Sequence, residues 1–213
     1  MSNLILEIKD VSHSYDGDET TLKNINLEVN RGEKVSILGP SGSGKSTLLR
    51  LIAGLERPNS GAIAIQGKIV SDTSLMIAPE KRNVGLVVQE KALFPHLTVE
   101  KNIGFGIRKN QEKAKIIPDL LNLFKIEHLS NKYPHEISGG EQQRTALARS
   151  MAPDPELLML DEPFSALDKK LKEELYVELN QIFRERQQTI MLVTHDIDEA
   201  KVLSEKQINL QNS

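Results

Sequence analysis

Gly39-Pro40-Ser41-Gly42-Ser43-Gly44-Lys45-Ser46-Thr47 has the form G-x-x-x-x-G-K-[ST], and both of its flanks suit that form. On the N-terminal side Val35-Ser36-Ile37-Leu38 reads as a short buried strand. On the C-terminal side Leu48, Leu49, Leu51 and Ile52 fall at helical spacing and stop at Gly54. A loop between strand and helix must turn sharply and bring backbone N–H groups close to a polyanion, which glycine permits because it has no Cβ. The helix start adds unpaired donors and partial positive charge. Lys45 then reaches the outer phosphates, and the Ser46 hydroxyl is placed to ligate Mg²⁺. A turn that merely needs glycine would not require lysine, serine, strand and helix in register. The stretch implies a bound nucleoside triphosphate.

Further along, Leu157-Leu158-Met159-Leu160 is an apolar strand that ends in Asp161-Glu162-Pro163. Ligands of open α/β sheets gather at the carboxyl ends of strands. There Asp161 suits a metal-holding role, directly or through water, and Glu162 suits polarisation of an attacking water. The competing reading, a cap for the next helix, loses ground once the phosphate loop is present. His195 follows the strand at 190–193 between Thr194 and Asp196, which predicts that it reaches the same sheet edge. Gln89 ends another apolar run, at 84–88, and can offer its amide oxygen to metal or water. Ser138-Gly139-Gly140-Glu141-Gln142-Gln143-Arg144 opens a helix with serine and two glycines, a second anion cradle. One triphosphate already has its cradle at 39–47, so a second cradle suggests a second molecule. A simple N-cap is the plainer alternative.

Around these motifs the opening third is strand-rich. Residues 4–8 alternate, Ile25, Leu27 and Val29 alternate again, Arg31-Gly32 is a turn, and residues 62–66 form another strand after Pro58-Asn59-Ser60-Gly61. This predicts an antiparallel region from which the phosphate loop emerges. From residue 90 to 152 the pattern is helical, with Ile116, Leu120, Leu121 and Phe124 on one face. The strands at 157–160 and 189–193 enclose a helix from 168 to 184, a βαβ unit with parallel strands. The expected fold is α/β: a mixed sheet core with an antiparallel β subdomain and a helical insertion. Residues 1–213 form a single domain, 1–89 and 153–213 its nucleotide-binding core, and 90–152 a helical subdomain.

Composition narrows the class. The 213 residues are 38% hydrophobic and 27% charged, ordinary for a globular protein, and the net charge of −3 argues against nucleic acid as a partner. Without cysteine neither disulfides nor thiolate metal sites arise. The first residues lack the basic and long apolar regions of a secretory signal, and no apolar run reaches membrane-spanning length. A cytoplasmic location is expected, with membrane contact only through a partner.

Taken in order along the chain, these motifs resemble the ATP-binding subunit of an ABC transporter, a P-loop NTPase. The resemblance places 39–47 as the Walker A loop, Gln89 as the Q-loop and Ser138, Gly139, Gly140 and Gln142 in the signature. It places 157–162 as Walker B, Ser165-Ala166-Leu167-Asp168 as the D-loop, His195 as the switch histidine, and Tyr15 as the aromatic that stacks on adenine. It implies ATP with Mg²⁺ (held by Ser46, Asp161 and Gln89) and a homodimer in which each signature faces the partner's nucleotide. Residues 79–89 and 92–99 are similar to the importer ATPases for ferric iron, polyamines, sulfate or thiosulfate, molybdate and sugars. Import through separate membrane permease subunits follows, with docking near Gln89 to Leu97 and a periplasmic or extracellular solute-binding protein in the complex. Ile137, Val88 and Glu90-Lys91 depart from the usual residues without touching a phosphate-binding or catalytic position. Many such subunits carry a C-terminal regulatory β-domain, and with this chain ending at Ser213 that style of regulation is not expected. An exporter or lipoprotein-release ATPase is the alternative within transport. A soluble DNA-repair or translation ATPase would show a long heptad run or tandem cassettes. A P-loop kinase or GTPase would leave the signature and His195 without a task.

Overall fold

A computed structural model describes residues 3–15, 19–88, 93–107, 112–165 and 167–210. The long strands β1 (Leu4–Tyr15) and β2 (Glu19–Asn30) pair antiparallel, and β4 (Ser60–Ile65) and β5 (Lys68–Asp72) extend them into a sheet of order β2-β1-β4-β5. A second sheet is parallel throughout. It contains β3 (Lys34–Leu38), β6 (Val84–Val87), β7 (Leu157–Asp161), β8 (Ile190–Thr194) and β9 (Lys206–Asn209) in the order β6-β7-β8-β3-β9. The helices are α1 (Lys45–Ala53), α2 (Val99–Gly104), α3 (Lys113–Leu123), α4 (Gly139–Met151), α5 (Lys169–Glu185) and α6 (Ile197–Leu203).

One expectation needs correction. The strand before the phosphate loop does not belong to the antiparallel region. β3 lies between β8 and β9 in the parallel sheet. The Arg31-Gly32 turn reads from sequence like a hairpin, but its Gly32 N–H donates to the Thr189 hydroxyl at 3.0 Å, at the entrance to β8. The turn delivers the chain from one sheet to the other. The βαβ unit stands as expected, with β7, α5 and β8 in succession and the two strands parallel.

Successive side chains of a strand point to opposite faces, so a strand apolar at every position must be covered on both. Leu158, Leu160, Ile190 and Leu192 join Ala146 and Leu147 of α4 and Leu175, Leu179 and Phe183 of α5 in one core. Leu157, Met159, Met191 and Val193 join Leu48, Leu49 and Ile52 of α1 and Leu6 and Ile8 of β1 in the other. The parallel sheet is thus the shared wall, and the chain segments leaving β3, β7 and β8 all emerge at one edge. Helix α1 ends cleanly at Gly54, whose φ of +81° suits glycine, with Leu55 N–H donating to Arg50 O at 2.9 Å. The buried Arg82 guanidinium then takes the Leu51 and Ile52 carbonyls, both at 2.9 Å. Among the described residues no helix is long and apolar enough to cross a membrane.

Candidate active site

At the carboxyl edge of the parallel sheet, Leu38 is level with Thr194 and Asp161 is level with Val193. The loop after β3 therefore faces the end of β7 across β8. Gly44 enters α1 with φ +86° and caps it with no side-chain bond, so the first helical N–H groups are presented without an internal acceptor. A Cβ at Gly44 would lie 2.6 Å from the Leu22 side chain and 2.8 Å from Thr21 O. The loop is pressed against β2, and only glycine fits. Lys45 is buried, its ammonium donating to Gly39 O at 2.9 Å and Pro40 O at 2.8 Å inside the loop. Ser43 is also buried, whereas Ser41 and Gly42 have their residues on the open side. The Ser46 hydroxyl donates to Asp161 Oδ1 at 3.0 Å. That pair spans 115 residues of sequence and joins the two halves of the site.

Burial pushes the Asp161 carboxyl above its usual range, the Ser46 hydroxyl working against the rise. A cation here would reverse that shift. A hydroxyl and a carboxylate side by side suit Mg²⁺, which takes one or two protein oxygens and completes its shell with phosphate and water. No cluster of three or more His, Asp or Glu able to cage a metal occurs among the described residues. The two oxygens line a cleft of ≈ 360 Å³ with Leu49, Arg50, Leu55, Leu86 and Val88.

Glu162 adopts φ +44°, left-handed backbone for a residue with a Cβ. The turn lets adjacent carboxylates serve different partners. Asp161 meets Ser46, while Glu162 Oε1 lies 3.1 Å from His195 Nδ1. The imidazole is mostly exposed and the carboxylate mostly covered, at 59% and 18%. Tyr15 stands half open at 44%, its hydroxyl donating to Glu56 Oε2 at 2.6 Å. The His13 ring meets it edge-on with centroids 4.9 Å apart, and Thr47 Oγ1 lies 3.3 Å from the same hydroxyl. The aromatic is therefore tied to the phosphate-loop helix.

Other expected residues stand apart. Ser138 is the N-cap of α4, in a capping box with Glu141: Ser138 N–H and the hydroxyl both donate to Glu141 Oε2 at 2.7 Å. Ser138 and Gly139 are exposed, and Gly140 is packed under Leu171. The hollow beside them is lined by Lys125, Ile126, Arg144 and Leu171 and shares no residue with the cleft at Ser46. The Gln142 amide is turned inward, donating to Pro134 O at 2.9 Å and Ile137 O at 3.3 Å. Asp168 caps α5, accepting from Leu171 N–H at 3.0 Å. Gln89 and Ala166 lie outside the described residues. A larger hollow of ≈ 680 Å³ opens at the opposite ends of the parallel strands, where Arg31 pairs with Glu156 and Lys34 with Glu205.

Sequence reading missed Glu56, Thr194 and Glu199. Glu56 carries no motif, and its role as anchor of Tyr15 depends on a fold that brings residues 41 apart together. Thr194 and Glu199 flank the histidine, and Asp196-x-x-Glu199 has the outline of an ordinary helix cap.

Residues 22–165 match the family described as ABC transporter. The chain is 47% identical over 209 residues to the sulfate/thiosulfate import ATP-binding protein CysA of Synechocystis sp., covering 96% of this chain and 58% of that protein. It is 42% identical to the spermidine/putrescine import ATP-binding protein PotA of Oleidesulfovibrio alaskensis, covering 95% of this chain and 54% of that protein. The chain thus spans little more than half the length of these two relatives. Among solved structures, the dimeric ATP-binding cassette MJ0796 in a post-hydrolysis state with ADP and Pi superposes with a TM-score of 0.83 at 34% identity, over 97% of this chain and 94% of that one.

Proposed function

The chain belongs to the ABC transporter family, and on that premise we propose that it binds and hydrolyses ATP to drive solute import through separate membrane permease subunits. The observation that carries this reading is the meeting, at one sheet edge, of the Ser46–Asp161 pair with the Glu162–His195 pair. The α1 N-terminus and Lys45 bind the phosphates, Tyr15 offers its ring to the base, and Ser46 with Asp161 would hold Mg²⁺. When bound, the metal neutralises charge on the outer phosphates. Glu162 orients a water for in-line attack on the γ-phosphorus and accepts its proton. The bond from that phosphorus to the β–γ bridging oxygen breaks, and ADP leaves with the electron pair. His195 fixes the Glu162 carboxylate and remains open enough to meet the γ-phosphate.

The exposed Ser138-Gly139 helix start, set in a hollow of its own, supports a second role: contact with the nucleotide held by another copy of the chain. The dimeric state of the similar cassette supports the same reading. The import names of the two relatives support import over export or lipoprotein release. A peripheral position on the cytoplasmic face, held by permease subunits and served by a solute-binding protein, completes the proposal. So does a division into a core of 1–89 with 153–213 and a helical subdomain of 90–152. The deciding test is phosphate release by the purified chain with MgATP. Glu162→Gln should lower turnover by about 10²–10⁴-fold while the affinity for ATP stays near that of the unchanged chain. Turnover close to normal would remove Glu162 from the reaction.

A further inference from the structure

Asp196-x-x-Glu199 has the spacing of a capping box, in which the glutamate would fold back onto the Asp196 N–H. The structure departs from that pattern. Asp196 Oδ1 accepts from the N–H groups of Asp198 and Glu199 at 2.9 and 3.3 Å, as an N-cap should. Its own N–H, however, donates to Thr194 Oγ1 at 3.0 Å, and the Thr194 hydroxyl donates onward to Glu199 Oε2 at 2.8 Å. A threonine hydroxyl is thus interposed between amide and carboxyl, and the residue bracketed by the relay is His195.

The cost of this arrangement points to its purpose. Thr194 and Glu199 are only 1% and 2% exposed, and Glu199 Oε1 has no hydrogen-bond partner among the described residues. An exposed glutamate would complete a cap without giving up its hydration. The groups facing this carboxyl are Lys172 and Tyr176 from α5, and Asp196 and His195 from the turn itself. Among the described residues no cation forms a direct ion pair with it.

We propose that Glu199 is a positioning residue for hydrolysis, holding His195 against Glu162 through the Thr194 hydroxyl, and that the relay tightens when the Glu199 carboxyl ionises. It rests on the reading of Glu162 and His195 as the hydrolytic pair. An ionised acceptor binds a hydroxyl roughly twice as strongly as a neutral one. The polarised hydroxyl in turn becomes a better acceptor for the Asp196 N–H. Burial pushes the Glu199 carboxyl up to about 7, against the Thr194 hydrogen bond that lowers it, so the relay changes state in the neutral range.

The test uses the full chain and two readouts, turnover of MgATP against pH and an NMR titration of the His195 ring without nucleotide. The unchanged chain should show kcat rising through an inflection near 7, with a matching second inflection in the His195 titration. Glu199→Gln should lose both inflections and hold kcat at the level of the acid limb, with KM within about twofold. Thr194→Val should lower kcat by about tenfold, the value of one net hydrogen bond, and Thr194→Ser should restore it. Retention of both inflections in Glu199→Gln, or equal turnover in Thr194→Val and Thr194→Ser, overturns the proposal. If Glu199→Gln does not fold, judged by its melting, the Thr194 pair decides. If the unchanged chain hydrolyses nothing, the hydrolytic reading fails and takes the positioning role with it, while the titration still decides whether Glu199 is coupled to His195.

Discussion

Glu162 and Glu199 each cost stability, by different physical routes. Glu162 stands in left-handed backbone at φ +44°, a conformation that costs on the order of 1 kcal/mol or more for a residue with a Cβ. The strain persists because β7 fixes the residue before it and Glu162 N–H donates to Val193 O at 2.9 Å. Glu199 stores its cost as desolvation instead. Its folded carboxyl titrates about 7, well above the ordinary glutamate value of 4.5. The folded protein therefore holds a proton that the unfolded chain releases earlier. That contribution to stability is complete below 4.5, declines as pH rises toward 7, and is gone above it. Glutamine escapes the decline. Glu199→Gln should therefore melt near the unchanged chain at low pH and above it at about pH 8, by an amount on the order of 3 kcal/mol at most. Thermal melts across that window measure the difference directly. A gap that is constant with pH would mean that Glu199 titrates normally in the fold.

At the scale of elements, α1 depends on a contact that sequence patterns do not reveal. The Arg82 guanidinium is buried and, among the described residues, forms no ion pair, and burial holds it below the usual arginine value. Carbonyls balance it: Leu51 and Ile52 at the end of α1, Val70 of β5, and Ile77. The negative end of the helix dipole adds to that balance. A Cβ at Gly54 would come within 2.3–2.7 Å of the guanidinium. Gly54→Ala should accordingly cost more than its backbone penalty of about 1 kcal/mol in the native background. In an Arg82→Ala background it should cost little more than that penalty. Arg82→Ala alone should cost about 3 kcal/mol or more, since several carbonyls lose their donor. Denaturant melts of the four proteins give the coupling, and strict additivity would show that the two sites do not touch. Lys45, Ser46, Asp161, Glu162 and His195 were legible because each follows a buried apolar strand, and the strands converge. Arg82 was not, because an arginine in the charged run Glu80-Lys81-Arg82 reads as surface and its acceptors are backbone atoms up to 31 residues away. The pairing of β3 was equally hidden, since Val35-Ser36-Ile37-Leu38 is apolar enough for either sheet.

For the molecule as a whole, hydrolysis is useful only if a partner feels it, and we propose that a permease subunit docks on the segment after Gln89. Gln89 to Ala92 lie outside the described residues, but 93–98 are fixed in detail. Buried Asn102 accepts from Phe94 N–H at 2.9 Å and donates to the carbonyls of Phe94, Leu97 and Thr98 at 2.9–3.1 Å. One amide therefore shapes the whole turn from beneath. Above it the side chains divide. Leu93 packs against the helical core, whereas Phe94 and Leu97 are half-buried, Pro95 and His96 are exposed, and Phe105 is 63% exposed. The Phe94 and Phe105 rings lie 4.3 Å apart, and the Arg149 guanidinium sits over Phe94 at 5.2 Å. A turn braced from inside that still shows apolar groups outside suits an amphipathic helix of a permease subunit. Leu97→Asp separates this role from simple packing. At a half-buried site that still reaches solvent the new carboxylate stays hydrated, so the purified variant should melt within a few degrees of the unchanged chain and keep its basal ATPase, while permease capture and transport are lost. A fully buried carboxylate would cost several kcal/mol. A large fall in melting temperature together with loss of basal ATPase would therefore place Leu97 in the core and end the docking proposal.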